Sequence, residues 1–170
     1  MNSFRFTLLL FLSVFAQGQA FAQSVGVLHL NPLHLELPAT WIFDGSKDPI
    51  EGKGPNGEVL LISVMRRQAG PSESALKVAE GFSGEDMADL ASKRGKLVIR
   101  PVEKFPVPMG KIGYSAGSEI SDTDGGKSYF IQYLLAESNV MIYFTFEGKG
   151  EALPAMRRFD ALIRTQHWDE

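Results

Sequence analysis

Leucines alternate with polar residues in Leu33-His34-Leu35-Glu36-Leu37, and Pro32 and Pro38 stand on either side. A period of two puts the three leucines on one face, which predicts a half-buried strand; the bracketing prolines place it at a sheet edge with His34 turned outward. The run Val59-Leu60-Leu61-Ile62-Ser63-Val64-Met65 is apolar at nearly every position, as expected of a strand covered on both faces. Between the two lies a polar, glycine-rich stretch, Asp44 to Gly57, that closes in the turn signal Pro55-Asn56-Gly57. The period of two returns at Leu97. Leu97 to Glu103, Lys111 to Ser121, Lys127 to Glu137 and Val140 to Glu147 predict four successive strands. The short connections Asp122-Thr123-Asp124-Gly125-Gly126 and Glu137-Ser138-Asn139 make the last three an antiparallel meander. In Tyr129 to Leu135 and Val140 to Phe146 both alternating sets are largely apolar, so these strands need cover on both faces.

Two regions carry a helical period. Pro71-Ser72 opens the first, with Ala75, Leu76, Val78 and Ala79 as its apolar side; Gly81 interrupts it, and Ser83-Gly84-Glu85-Asp86 restarts it with an approximate capping box. Met87, Leu90 and Ala91 face inward, Lys93 and Arg94 suit the negative helix end, and Gly95 stands where a C-terminal glycine belongs. The second region is C-terminal: Leu153, Met156, Phe159, Leu162 and Ile163 recur every three or four residues opposite Arg157, Arg158, Asp160 and Arg164, with Pro154 in the first turn. The expected architecture is α+β, an antiparallel β-sheet sandwiched by helices from the middle and the end of the chain.

The first two dozen residues read differently. Arg5 precedes the apolar stretch Phe6 to Phe15, and Ala20-Phe21-Ala22 offers the small-x-small pattern of signal-peptidase cleavage between Ala22 and Gln23. The expected division is a cleaved leader, 1–22, and a single globular domain, 23–170, whose first residues to Asn31 are open as to order. The leader's apolar run is about half of the roughly 20 residues needed to span a bilayer, and no later segment is longer. The mature chain is therefore expected to be periplasmic or secreted, without a transmembrane span. Its 148 residues are enough for one core without staples. The absence of cysteine removes disulfides, thiol nucleophiles and a lipobox anchor. The net charge of −3, with Lys and Arg scattered among acids, leaves no basic stripe for nucleic acid.

The opening Leu35-Glu36-Leu37-Pro38-Ala39-Thr40-Trp41, the turn Gly54-Pro55-Asn56-Gly57 into the Val59 strand, and a closing helix running into Arg164-Thr165-Gln166-His167-Trp168 together resemble the PsbP-like superfamily. These α/β/α sandwiches include the extrinsic photosystem subunit, Ran-binding Mog-type proteins and bacterial DcrB-like proteins. The resemblance spans Leu33 to Trp168 and implies a non-catalytic adaptor, assembly factor or chaperone that binds other proteins; it carries over no site residue.

Motifs with chemistry are sparse. Gly52-Lys53-Gly54-Pro55-Asn56-Gly57 leads into a strand and lacks the Gly-Lys-Ser/Thr ending of a phosphate loop. Asp122-Thr123-Asp124-Gly125 has Tyr133 where a calcium loop needs its bidentate glutamate. His29, His34 and His167 show no His-x-x-x-His spacing, so a zinc site would need ligands from distant segments. No Gly-x-Ser-x-Gly elbow marks a nucleophile. The acid pairs Glu85-Asp86 and Asp169-Glu170 read as solvated surface charge. No cofactor is expected and no catalytic residue is assigned. The expected function is an exported, non-enzymatic binding module of adaptor, chaperone or inhibitor type, whose partner is another envelope or secreted protein. Arg66, Arg67, Arg157 and Trp168 are the candidate partner-binding residues. The alternatives are a hydrolase whose triad is assembled from distant residues, with His34 or His167, and a protein that binds a small apolar ligand between sheet and helices.

Overall fold

The computed structural model describes residues 25–66, 97–107, 111–121, 124–137 and 139–169. Ten strands and one helix follow in chain order: β1 (Val25–His29), β2 (Leu33–Pro38), β3 (Ile42–Asp44), β4 (Ile50–Lys53), β5 (Val59–Arg66), β6 (Leu97–Lys104), β7 (Ile112–Ser121), β8 (Lys127–Glu137), β9 (Val140–Lys149), α1 (Ala152–Ile163) and β10 (His167–Trp168). They form a seven-stranded sheet of order β3-β4-β5-β9-β8-β7-β6 and a three-stranded sheet of order β1-β2-β10. Every recorded pairing is antiparallel. The expected meander is present as β7-β8-β9, with ten paired positions on each side of β8.

The main core lies between the two sheets and the helix. Leu33, Leu35 and Leu37 from β2 meet Leu60 and Ile62 from β5, Phe144 and Phe146 from β9, and Met156, Phe159 and Ile163 from α1. Phe146 and Phe159 stack with ring centroids 4.0 Å apart. A smaller cluster of Ala116, Leu134, Ala136 and Met141 occupies the opposite face of the large sheet. β8, buried at eight consecutive positions, therefore has cover on both faces as its composition requires.

Three expectations need correction. Among the described residues there is one helix, so a sheet sandwiched by helices overstates the helical layers; the helical region expected over Pro71 to Gly95 lies outside the described residues. β2 is the centre of its sheet and not an edge, since β1 and β10 pair to its two sides. β5 buries Leu60 and Ile62, but Leu61, Ser63 and Val64 are half-buried and Met65 is exposed, so only one of its faces is fully covered. Within the stretch read as polar connection lies β4, which pairs antiparallel with β3 just before it. The Gly54–Gly57 turn falls where expected, and Gly57 takes φ +78°, a conformation glycine adopts without steric cost.

In α1 the buried residues are Ala152, Ala155, Met156, Phe159 and Ile163, and Leu153, read as part of the apolar stripe, is exposed. Met156, Phe159 and Ile163 hold the expected stripe, and Ala152 and Ala155 rather than Leu153 complete its buried side, small enough to let the helix lie close to the sheet. A Cβ on Gly117 of β7 would lie 2.9 Å from Met156 Sδ. Glu119 from β7 accepts a hydrogen bond from the Ala152 N–H at 3.0 Å, placing a carboxylate at the positive helix end. Two register shifts in β6 flank Arg100 and turn its side chain toward the helix. Its guanidinium reaches Asp160 through two nitrogens at 2.7 and 2.6 Å, and Tyr133 donates its hydroxyl to the same carboxylate at 2.6 Å.

A histidine rung as the candidate functional site

The β1–β2 hairpin turns through Leu30-Asn31-Pro32, with a hydrogen bond from the Leu30 N–H to the Leu33 carbonyl at 2.7 Å. Asn31 takes φ +39°, which asparagine tolerates better than most residues. The register sets His29 opposite His34. On the other side of β2, β10 sets His167 opposite His34 as well. All three histidines of the chain therefore occupy one rung across the small sheet, on the face away from the buried leucines.

Their rings are in contact. His29 and His34 meet edge to face, with centroids 4.5 Å apart and Nδ1 atoms 2.5 Å apart. His34 and His167 stack at 5.2 Å with planes 15° apart. The second nitrogen of His34, Nε2, lies 2.7 Å from Asp169 Oδ1, and Asp169 is tied back by a hydrogen bond from its N–H to the Pro32 carbonyl at 2.9 Å. A His34 that donates Nε2–H to the carboxylate presents the Nδ1 lone pair to His29. Asp169, with its side chain 57% exposed, is the surface charge expected and is also the partner of His34.

Beside the rung, where the two sheets meet, is an open cleft of about 340 Å³ with Leu30, Ile50, Ile62 and Val64 below and Lys47 and Arg66 at its rim. Lys47 is bonded to Glu51 and lies 3.7 Å from Asp44. Arg66 sends one guanidinium nitrogen to the carbonyls of both Leu30 and Asn31 at 2.9 Å, fastening the end of β5 to the β1–β2 turn.

The four candidate partner-binding residues separate in space. Arg66 holds the turn beside the rung. Trp168, on β10, is half-buried against the main core, its indole Nε1 is buried without a hydrogen-bond partner, and Lys111 Nζ lies 5.2 Å from its ring centre. Arg157 is exposed on α1. Arg67 lies outside the described residues, as do Ala22, Gln23 and the proposed cleavage site. The structure therefore brings Arg66 and Trp168 to the same end of the small sheet but gives each an internal contact, so neither is simply presented to solvent.

Spacing along one strand does not reveal the rung, because its histidines come from three strands. Asn31-Pro32 is itself a turn signal, and a hairpin drawn through it places His29 opposite His34 from sequence alone. His167 and Asp169 could not have been found this way, since they come from the other end of the chain. For a distant-residue triad the acid is in place on His34, but the nitrogen that would have to take a serine proton faces His29 instead. Among the described residues no group of three or more His, Cys, Asp or Glu side chains is placed to hold a metal ion. No described helix is long and apolar enough to cross a membrane.

No protein-family model and no curated protein sequence matches the chain. Among solved structures it is similar to the solution structure of cyanobacterial PsbP (CyanoP) from Synechocystis sp. PCC 6803, at 14% identity and a TM-score of 0.56, covering 92% of this chain and 99% of that one. A crystal structure from Bacteroides thetaiotaomicron VPI-5482 matches at 11% identity and a TM-score of 0.48, covering 81% of this chain and 45% of the other. At these identities the likeness speaks for architecture alone, and the architecture is PsbP-like.

Proposed function

We propose that the protein is an exported, non-enzymatic accessory module that binds another protein of the cell envelope or its secreted complement. The leader-like pattern through Ala22 supports export, and the PsbP-like fold is compatible with an accessory role. The observation that carries the reading is the open cleft between the two sheets, with its apolar floor, lying beside β1, an edge strand among the described residues, where Val27 is 46% exposed. An extended segment of a partner can add to such an edge by main-chain hydrogen bonds and place one apolar side chain over Ile62 and Val64. Arg66 shapes this surface by holding the turn, and Arg157 and Trp168 stand outside it.

Photoreactive residues placed singly at Val27, Ile50 and Arg157 in the native host test the proposal. The expected result is one envelope protein captured from Val27 and Ile50 but not from Arg157, whose binding to the purified domain is lost when Val27 is replaced by aspartate. Capture that is the same from all three positions, or none from the first two in folded and processed protein, rejects this surface as the binding face.

A further inference from the structure

We infer that the histidine rung binds one divalent late first-row metal ion, best matched by Cu²⁺, through Nδ1 of His29 and Nδ1 of His34. The inference does not depend on the accessory-module reading. The two nitrogens face each other across adjacent strands, close enough for one ion to bridge them in place of the proton they share. His34 is backed by a carboxylate at its other nitrogen, at 2.7 Å. That arrangement is the one metal-bound imidazoles almost always show: the carboxylate fixes the N–H at one ring position, orients the ring and makes the free nitrogen a stronger donor. The Pro32 carbonyl holds Asp169 in place through its backbone, and Arg66, at the end of β5, is directed to the carbonyls of Leu30 and Asn31.

Geometry indicates the class of ion. Two nitrogens bound at about 2.0 Å stand roughly 2.8 Å apart at a right angle and roughly 3.3 Å apart at the tetrahedral angle. From the observed 2.5 Å contact the first requires the proton between the nitrogens to leave to solvent and the rings to part by a few tenths of an ångström and turn so that both lone pairs face the ion, a movement open to a pair of which His29 is exposed. Tetragonal sites of nitrogen and oxygen suit Cu²⁺ and then Ni²⁺, and imidazole suits both. Two protein ligands leave the other positions to water or to an oxygen or nitrogen donor of a bound molecule. His167, stacked on His34, packs that ring in place.

Untagged mature protein titrated with Cu²⁺ alone tests the site. The expected result is one equivalent bound, with an electron paramagnetic resonance spectrum split by two imidazole nitrogens. His29→Ala and His34→Ala should each leave one nitrogen and weaken binding at least tenfold. Asp169→Asn should weaken it about 10–100-fold with two nitrogens retained, and His167→Phe should keep the two-nitrogen spectrum. Circular dichroism identifies any variant that fails to fold, and the wild-type nitrogen count stands independently of the variants. Binding undiminished in the His29→Ala/His34→Ala double variant, or a wild-type spectrum without two imidazole nitrogens, overturns the assignment.

Discussion

Single side chains in this protein are decisive where they have no room to move. Phe159 is 1% exposed and stacked on Phe146 where helix, large sheet and small sheet meet. Phe159→Ala should lower the unfolding free energy by about 3–5 kcal/mol, the usual cost of deleting a fully buried ring, read from urea denaturation. Gly113 is constrained in the opposite sense: a Cβ there would stand 2.7 Å from the Phe105 carbonyl oxygen and 2.3 Å from Val107 Cγ2. Because one of these atoms is backbone, Gly113→Ala should cost about 1–3 kcal/mol through overpacking; an unchanged denaturation midpoint would show that the 105–107 segment yields freely. The leucines of β2 were legible in the sequence because alternation marks the inward face whatever the neighbours are. The exposure of Leu153 was not, because it lies at the margin of a helical stripe whose buried side is completed by Ala152 and Ala155.

Between elements, the join of α1 to the large sheet depends on polar contacts that the sequence did not signal. Burial alone would raise the Asp160 carboxyl, but hydrogen bonds from Arg100 and Tyr133, with the charge of Arg100, outweigh it and hold the group below its ordinary 3.8. Burial, with the hydrogen bond to Asp160, raises the Tyr133 hydroxyl, and the bond to Asp160 raises Arg100, so the trio has one stable charge state across neutral pH. A carboxylate lowered on folding contributes stability above its unfolded value and loses it as pH falls through the folded value. Asp160→Asn should therefore be less stable than wild type at pH 7, and the gap should narrow below about pH 4. Thermal midpoints collected from pH 7 to pH 2 check this, and a gap that stays constant to pH 2 would remove Asp160 from the acid response. Arg100 was unreadable because two irregularities in β6 reset its direction, and such bulges leave little trace in an apolar pattern.

At the level of the whole molecule, the meander was legible because its partners are sequence neighbours joined by turn residues. The small sheet was not, because β2 takes one partner from the residues just before it and the other from the end of the chain. Ending the chain at Gln166 should remove β10, strip Trp168 from the core and expose His34. Amide exchange should then accelerate in β1 and β2 while β7, β8 and β9 keep their protection. Equal acceleration in all five strands would mean that the two sheets form one cooperative unit.

The pairing of β2 with both neighbours also sets an order of events during synthesis. The hairpin of β1 and β2 emerges early, yet the rung cannot be completed until His167 and Asp169 have been made, 135 residues after His34 in the case of the His34–Asp169 contact. A contact so distant along the chain is costly to close before the rest is folded. Every chain that stops short of Asp169 therefore carries His29 and His34 without their carboxylate, and the finished geometry of the rung belongs only to a protein that has been made through Asp169.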